Sequence, residues 1–182
     1  GFTLNDLVSY QDKHNDANGE DNRDGSDDNI SVNFGVEGPT DDEGINAIRR
    51  QLRRNQIACL MLAQGVPLIL AGDEAANTQN GNNNTYCQDN EIGWVDWSKL
   101  GTEDDLTDLI GTLKRMRDSY PQLQPRQWLI GKRDDDTYDV KWLTPSASEM
   151  SETDWNFPAG RFLSYVLAAS EETGSPLFIV LN

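Results

Sequence analysis

The sequence predicts the closing part of an α/β unit followed by the opening of an all-β domain, a fold incomplete by itself. Three observations carry this reading. A helical pattern over 41–64 leads directly into a continuous apolar run at 66–71, the signature of a strand covered on both faces in a parallel sheet. A second helical pattern over 102–119 follows and is stopped by Pro121. Beyond Pro125 the period shortens to β-like runs at 138–143, 162–168 and 177–181, separated by turn residues.

The elements can be justified in order. Residues 1–10 hold a short amphipathic piece in which Thr3 caps a turn carrying Leu4, Leu7 and Val8. Residues 11–44 offer almost nothing that packs, and Gln11 to Ile30 is dominated by Asp, Asn and Gly. Composition reads this stretch as disordered, or as a long ordered loop over a functional face. The helix at 41–64 begins with Asp41 and Asp42 at its positive end and stops before Gly65. Ile45, Ile48, Leu52, Cys59 and Leu62 form a stripe, and Arg49, Arg50, Arg53 and Arg54 form a basic band, read as an outer face paired with the acidic loops. After Asn55 the helix is apolar nearly all round, which predicts burial of that half.

The run at 66–71 ends in Gly72-Asp73-Glu74, placing two carboxylates at a strand's carboxyl end, where α/β folds bind ligands. A polar loop at 77–97 follows, with Tyr86, Trp94 and Trp97 interleaved. Thr102 caps the next helix, with Glu103, Asp104 and Asp105 in its first turn and Lys114, Arg115 and Arg117 in its last. A strand buried on both faces needs parallel neighbours, and nothing upstream supplies them. The last β run also lacks a closing partner. The expectation is a piece of a larger protein, or a chain that self-associates through exposed strand edges.

Charge excludes several function classes. The chain has 182 residues and a net charge of −16, which repels nucleic acid and anionic membrane surfaces and suits a neutral ligand such as a sugar. No apolar run approaches the ~20 residues of a membrane span. No secretory signal is visible, and the absent initiator Met suggests processing or a cut. Cys59 and Cys87 make no disulfide framework and match no metal motif, so a reducing, cytoplasmic location is expected. The familiar hydrolase, P-loop and dinucleotide motifs do not occur, and His14 is the single histidine. Glu20, Asn22 and Asp24 before Gly25 look like half a calcium loop, but Ser31 stands where the closing Glu belongs.

The strongest site by composition is Asp73 and Glu74 with the amide-rich loop after them. Asn82, Asn83, Asn84, Gln88 and Asn90 carry both donors and acceptors, as vicinal hydroxyls require, and Tyr86, Trp94 and Trp97 offer stacking faces. The same amides could equally close the loop on itself. Composition leaves both readings open.

Five stretches identify a family. GFTLNDLVSY, KHNDANGEDNRDG, NFGVEGPTDD, RRNQIACLMLAQGVPLILAGDE and GNNNTYCQDNEIGWVDW resemble, in order, the C-terminal part of bacterial glycogen debranching enzymes of the isoamylase type, in the α-amylase superfamily. VKWLTPSASEM and DWNFPAGRF extend the likeness more loosely. The resemblance implies that 1–121 is the end of a (β/α)8 TIM barrel, with 66–71 its eighth strand, and that 126–182 begins a C-terminal β-sandwich. It implies retaining hydrolysis of α-1,6 branch linkages in glycogen or limit dextrin by an Asp nucleophile, a Glu acid/base and a second Asp. The first two fall on earlier strands, and the third falls just before the Gly1-Phe-Thr-Leu motif. No catalytic residue is therefore expected here, no metal or organic cofactor, and no hydrolase activity of the chain alone.

What the resemblance does place here is the substrate rim. Asn82, Asn83, Asn84, Tyr86, Gln88, Asp89 and Asn90 match the family's NNNAYCQDN-like stretch, with Thr85 for Ala. His14, Asn15, Asn18 and Glu20 match its KHNEANGE stretch, with Asp16 for Glu. Val32 and Phe34 stand where the family usually has Trp and Cys. The alternative reading is a non-catalytic glucan-binding or assembly module. A calcium-dependent structural protein is the remote third.

Overall fold

The computed structural model describes residues 1–102, 104–170 and 174–182. Among the described residues the elements are α1 (Glu43–Leu62), α2 (Thr107–Ser119), β1 (Val140–Leu143), α3 (Glu152–Trp155), β2 (Leu163–Leu167) and β3 (Leu177–Leu181), with two short 3₁₀ turns before α1 and three between α1 and β1. The chain divides into two compact units, Gly1–Met61 with Pro67–Leu113, and Leu62–Val66 with Lys114–Asn182.

In the first unit, Asp42 starts α1 by accepting hydrogen bonds from the N–H groups of Gly44 and Ile45, at 2.8 and 3.1 Å. Such a cap satisfies donors that the first turn leaves open. Ile57 and Met61 then build the core with Leu4, Leu106 and Leu113, while Ala58, Ile69, Leu109 and Ile110 pack at its edge. The all-round burial expected after Asn55 is not found. Cys59 is exposed and Leu60 and Leu62 are half-buried, because the core covers one stripe of the helix. The basic band also splits. Arg49 and Arg53 are buried, whereas Arg54 faces solvent.

Segment 66–71 forms no strand and pairs with none among the described residues. Its side chains alternate, with Ile69 against the core and Val66 and Leu68 at 96% and 87% exposure. A strand hydrophobic on both faces needs a cover for each, and among the described residues no strand lies beside it. The helix expected from 102 begins instead at Thr107, whose N–H is capped by the Asp105 carboxylate at 2.8 Å. Thr102 turns its hydroxyl to the Lys99 carbonyl. The expected role of Glu103 lies outside the described residues.

The second unit is a three-stranded antiparallel sheet in the order β1-β2-β3, with Val140 opposite Leu167 and Tyr165 opposite Ile179. All three β runs are found, the first two trimmed at their ends. Leu123, Val140, Tyr165, Leu167 and Ile179 form its core. Trp142 packs on Tyr165 at 4.9 Å between ring centroids and receives Trp155 edge-on at 5.4 Å. Trp155 arrives on α3, a short helix held by a capping box between Ser151 and Asp154 that the sequence reading missed. Arg117 is buried and donates to the carbonyls of Ala63 and Gly65 at 2.8 and 2.6 Å. Among the described residues no helix is long and apolar enough to cross a membrane.

Candidate functional site

The two polar loops of the first unit fold onto each other through their amides. Asn15 is fully buried; its Nδ2 donates to the Asp24 carbonyl and to Asn83 Oδ1, both at 2.9 Å. Its Oδ1 accepts from the Asn83 N–H at 3.0 Å, so the pair is reciprocal. Asn83 Nδ2 donates onward to the Ser26 carbonyl and to Asn29 Oδ1, at 2.8 and 2.7 Å. Asn18 donates to the Asp24 carboxylate at 2.7 Å and to the Asn84 carbonyl at 2.9 Å, and accepts from Asn82 and Gln88. Asn84 returns a bond to the same Asp24 oxygen at 2.9 Å. Buried amides are stable only when their donors and acceptors are matched in this way.

The local backbone is built for these contacts. Gly25 sits at φ +71°, and a Cβ there would lie 2.1 Å from Asn83 Oδ1. Gly81 sits at φ +77° against the rings of Tyr10 and His14, and its carbonyl accepts from the His14 N–H at 2.8 Å. Only glycine takes such backbone angles without strain while leaving room for a close neighbour.

Electrostatics tighten the same frame. The bond from Asn18 is the leading cause that holds the Asp24 carboxyl below its ordinary value. Glu37 is pushed up by partial burial, but it accepts from the N–H groups of Gln11 and Asp12, from Asn33 and from His14 Nε2, and these bring it down to about 2. Asp6 is fully buried and accepts from the Thr78 hydroxyl and the Gln79 N–H; burial raises its pKa. Burial likewise raises Asp73, which accepts from the Leu4 N–H at 2.9 Å. Glu74 accepts from the Gly72 N–H at 3.0 Å. Both carboxylates at the end of segment 66–71 are thus bonded to nearby backbone.

The surface over this frame is aromatic and acidic. Tyr86 and Trp94 are 67% and 58% exposed. The Tyr86 hydroxyl donates to Glu20 at 3.2 Å, which raises its pKa, and Trp94 Nε1 donates to Asp89 at 3.0 Å. Asn90 donates to Gln88 at 2.8 Å and so continues the network outward. The structure therefore brings together His14, Asn15, Glu20, Asn82, Asn83, Asn84, Tyr86 and Gln88 in one frame of facing loops. Trp97 is also exposed. The sequence reading did not place Asp24, Asn29 or Glu37 at this site: Asp24 entered only as part of an incomplete calcium loop, and the signal of the other two was an acid or amide among many. Among the described residues no three His, Cys, Asp or Glu side chains gather as a metal site, and Asn22 and Asp24 bond within their own loop and to the facing one.

No family model matches the chain. The "Glycogen operon protein GlgX homolog" of Mycobacterium tuberculosis is 50% identical over 158 residues, covering 85% of this chain. The "Glycogen debranching enzyme" of Dickeya chrysanthemi is 46% identical over 155 residues, again 85% of this chain. This chain is a homologue of the glycogen debranching enzymes. It spans 22% of the mycobacterial relative's length and 23% of that of the Dickeya enzyme. Among solved structures, "Pullulanase from Bacillus acidopullulyticus" superposes with a TM-score of 0.54 at 20% identity, over 80% of this chain and 16% of that one. The fold thus matches part of that pullulanase's fold.

Proposed function

We propose that this chain is part of a glycogen debranching hydrolase and that its two facing loops form one rim of the groove that takes a branched α-glucan. The observation that carries this is the Asn15–Asn83 lock, which holds loops 11–38 and 77–97 as one frame beneath an exposed Tyr86 and Trp94. The buried amides fix the frame. The exposed rings provide stacking faces for pyranose rings, and Glu20, Asp89 and Asn90 beside them accept from or donate to hydroxyls. Identity of 46% to a debranching enzyme over most of the chain supports this substrate class.

In this reading 66–71 is the last strand of a (β/α)8 barrel and the three-stranded sheet belongs to a C-terminal β-sandwich. The reaction is the retaining kind, needing two carboxyl groups about 5 Å apart across the scissile bond. The carboxylates of Asp6, Asp73 and Glu74 are bonded to nearby donors of the chain and are assigned no catalytic role. The nucleophile and the acid/base come from parts of the protein outside this chain. Tryptophan fluorescence with limit dextrin tests the rim: saturable quenching is expected, weakened by Tyr86→Ala and by Trp94→Ala. No reducing ends should be released. Unchanged binding in both variants would sink the rim assignment, and release of reducing ends would sink the inactivity of the isolated chain.

A further inference from the structure

We infer that the carboxylates of Glu20 and Asp89 are positioning and specificity residues of the glucan rim: they hold the Tyr86 and Trp94 rings in place, and their charge makes the rim select neutral glucan over glucan bearing phosphate esters. This role rests on the rim proposed above and adds what that rim rejects. The Tyr86 hydroxyl donates to Glu20 Oε1 at 3.2 Å, across the two loops, and Trp94 Nε1 donates to Asp89 Oδ1 at 3.0 Å within one loop. Each ring has a single polar hydrogen, and each spends it on a carboxylate. What remains for a ligand is the ring faces, at 67% and 58% exposure. A face stacks on the apolar side of a pyranose. Holding each ring by its polar end beforehand also leaves fewer rotamers to freeze when the sugar arrives.

Stacking alone tells little between one sugar chain and another, so discrimination comes from the charge around the rings. Loops 11–38 and 77–97 contain eleven acids and two bases, Lys13 and Arg23, and so carry a net −9 of the chain's −16. Both bases already face acids of their own loop, Lys13 at 2.7 Å from Asp27 and Arg23 at 3.6 Å from Asp21. His14 Nε2 is likewise bonded to Glu37 at 3.0 Å. These loops therefore present an anion with a negative field. Glu20 and Asp89 stand closest to the ligand in that field, because they are bonded to the stacking rings themselves. A phosphate ester on a stacked sugar would be repelled by them, with a force that added salt screens. A neutral hydroxyl in the same place would instead donate to the carboxylate oxygens.

Calorimetry on the 182-residue chain tests this with limit dextrin and with the same dextrin carrying phosphate monoesters, each in low and high sodium chloride. The phosphorylated dextrin should bind about 5- to 10-fold more weakly at ~20 mM salt, and the gap should close at ~0.5 M. This salt series needs no variant. Glu20→Gln combined with Asp89→Asn removes both charges but keeps an acceptor for each ring, and should narrow the low-salt gap at least ~2-fold. Asp134→Asn combined with Glu152→Gln removes the same charge outside both loops and should leave the gap at the parent's value. Positioning has its own readouts. Glu20→Ala should weaken limit-dextrin binding more than Glu20→Gln does, and Asp89→Ala should move the Trp94 indole N–H resonance. Equal narrowing by the two double variants, equal losses in Glu20→Ala and Glu20→Gln, or an unmoved Trp94 resonance would each overturn the assignment. Equal low-salt binding of the two dextrins would overturn it while leaving the rim intact, whereas failure of limit dextrin itself to bind would sink the rim and this role together.

Discussion

A single asparagine shows how this surface is held. Asn83 is 4% exposed, donates through both hydrogens of Nδ2 and accepts through Oδ1 from Asn15. Asn83→Ala removes those bonds and strands the Ser26 carbonyl and the Asn15 amide, with an expected loss of about 2–3 kcal/mol in urea unfolding. The position was legible as one of a run of asparagines, but its partners were not. Asn15 lies 68 residues away, and no local pattern announces a pairing at that distance. Glu37 carries a different signature. Its carboxyl is held at about 2 in the fold, against an ordinary 4.5. Because the folded value is the lower one, its stabilising contribution is present above pH 4.5 and is lost as pH falls towards 2. Acid unfolding of Glu37→Gln should therefore lack this part of the decline seen in the parent chain. Identical profiles would show that the four bonds to Glu37 contribute nothing.

At the scale of elements, amphipathic pattern and capping were readable wherever the chain supplied its own cover. α1 and the β runs are of this kind. Segment 66–71 was read as a strand covered on both faces, and no strand lies beside it among the described residues, because hydrophobicity says what a segment needs and not whether the chain contains it. Arg49 and Arg53 were read as solvent-facing because arginine usually is. Their burial follows from loop carbonyls and Asp104, which reach them only once the loops are folded. The facing loops depend on Gly81 in turn. A Cβ there would stand 2.6 Å from Tyr10 Cδ1 and 2.8 Å from His14 Cδ2, at a positive φ. Gly81→Ala should cost at least about 2 kcal/mol and weaken limit-dextrin binding through the shifted loop. Wild-type stability and binding would show that the Tyr10–His14 contact is free to move.

For the molecule as a whole, charge and exposed apolar side chains act in opposite directions. Net charge of −16 keeps copies apart, while Val66 and Leu68 present exposed apolar side chains that invite association. Salt screens the first and leaves the second. Light scattering at raised ionic strength should therefore show concentration-dependent self-association, and Leu68→Lys should suppress it without lowering the unfolding midpoint. Persistent association of Leu68→Lys would place the contact elsewhere. The broad class of the molecule was legible in five ordered motifs.

The frame of asparagines also sets how this protein ages. Asn18 is followed by Gly19, the neighbour least able to shield an amide from attack by the next backbone nitrogen, and Asn80 is likewise followed by Gly81. Deamidation at Asn18 would replace two N–H donors by a carboxylate facing Asp24, turning a hydrogen bond of 2.7 Å into repulsion between like charges. Shelf life would then be limited by covalent chemistry, and the loops would open while both hydrophobic cores stayed intact. Peptide mapping of stored protein should find Asn18 converted in the fraction that has lost glucan binding, and intact Asn18 in that fraction would refute this.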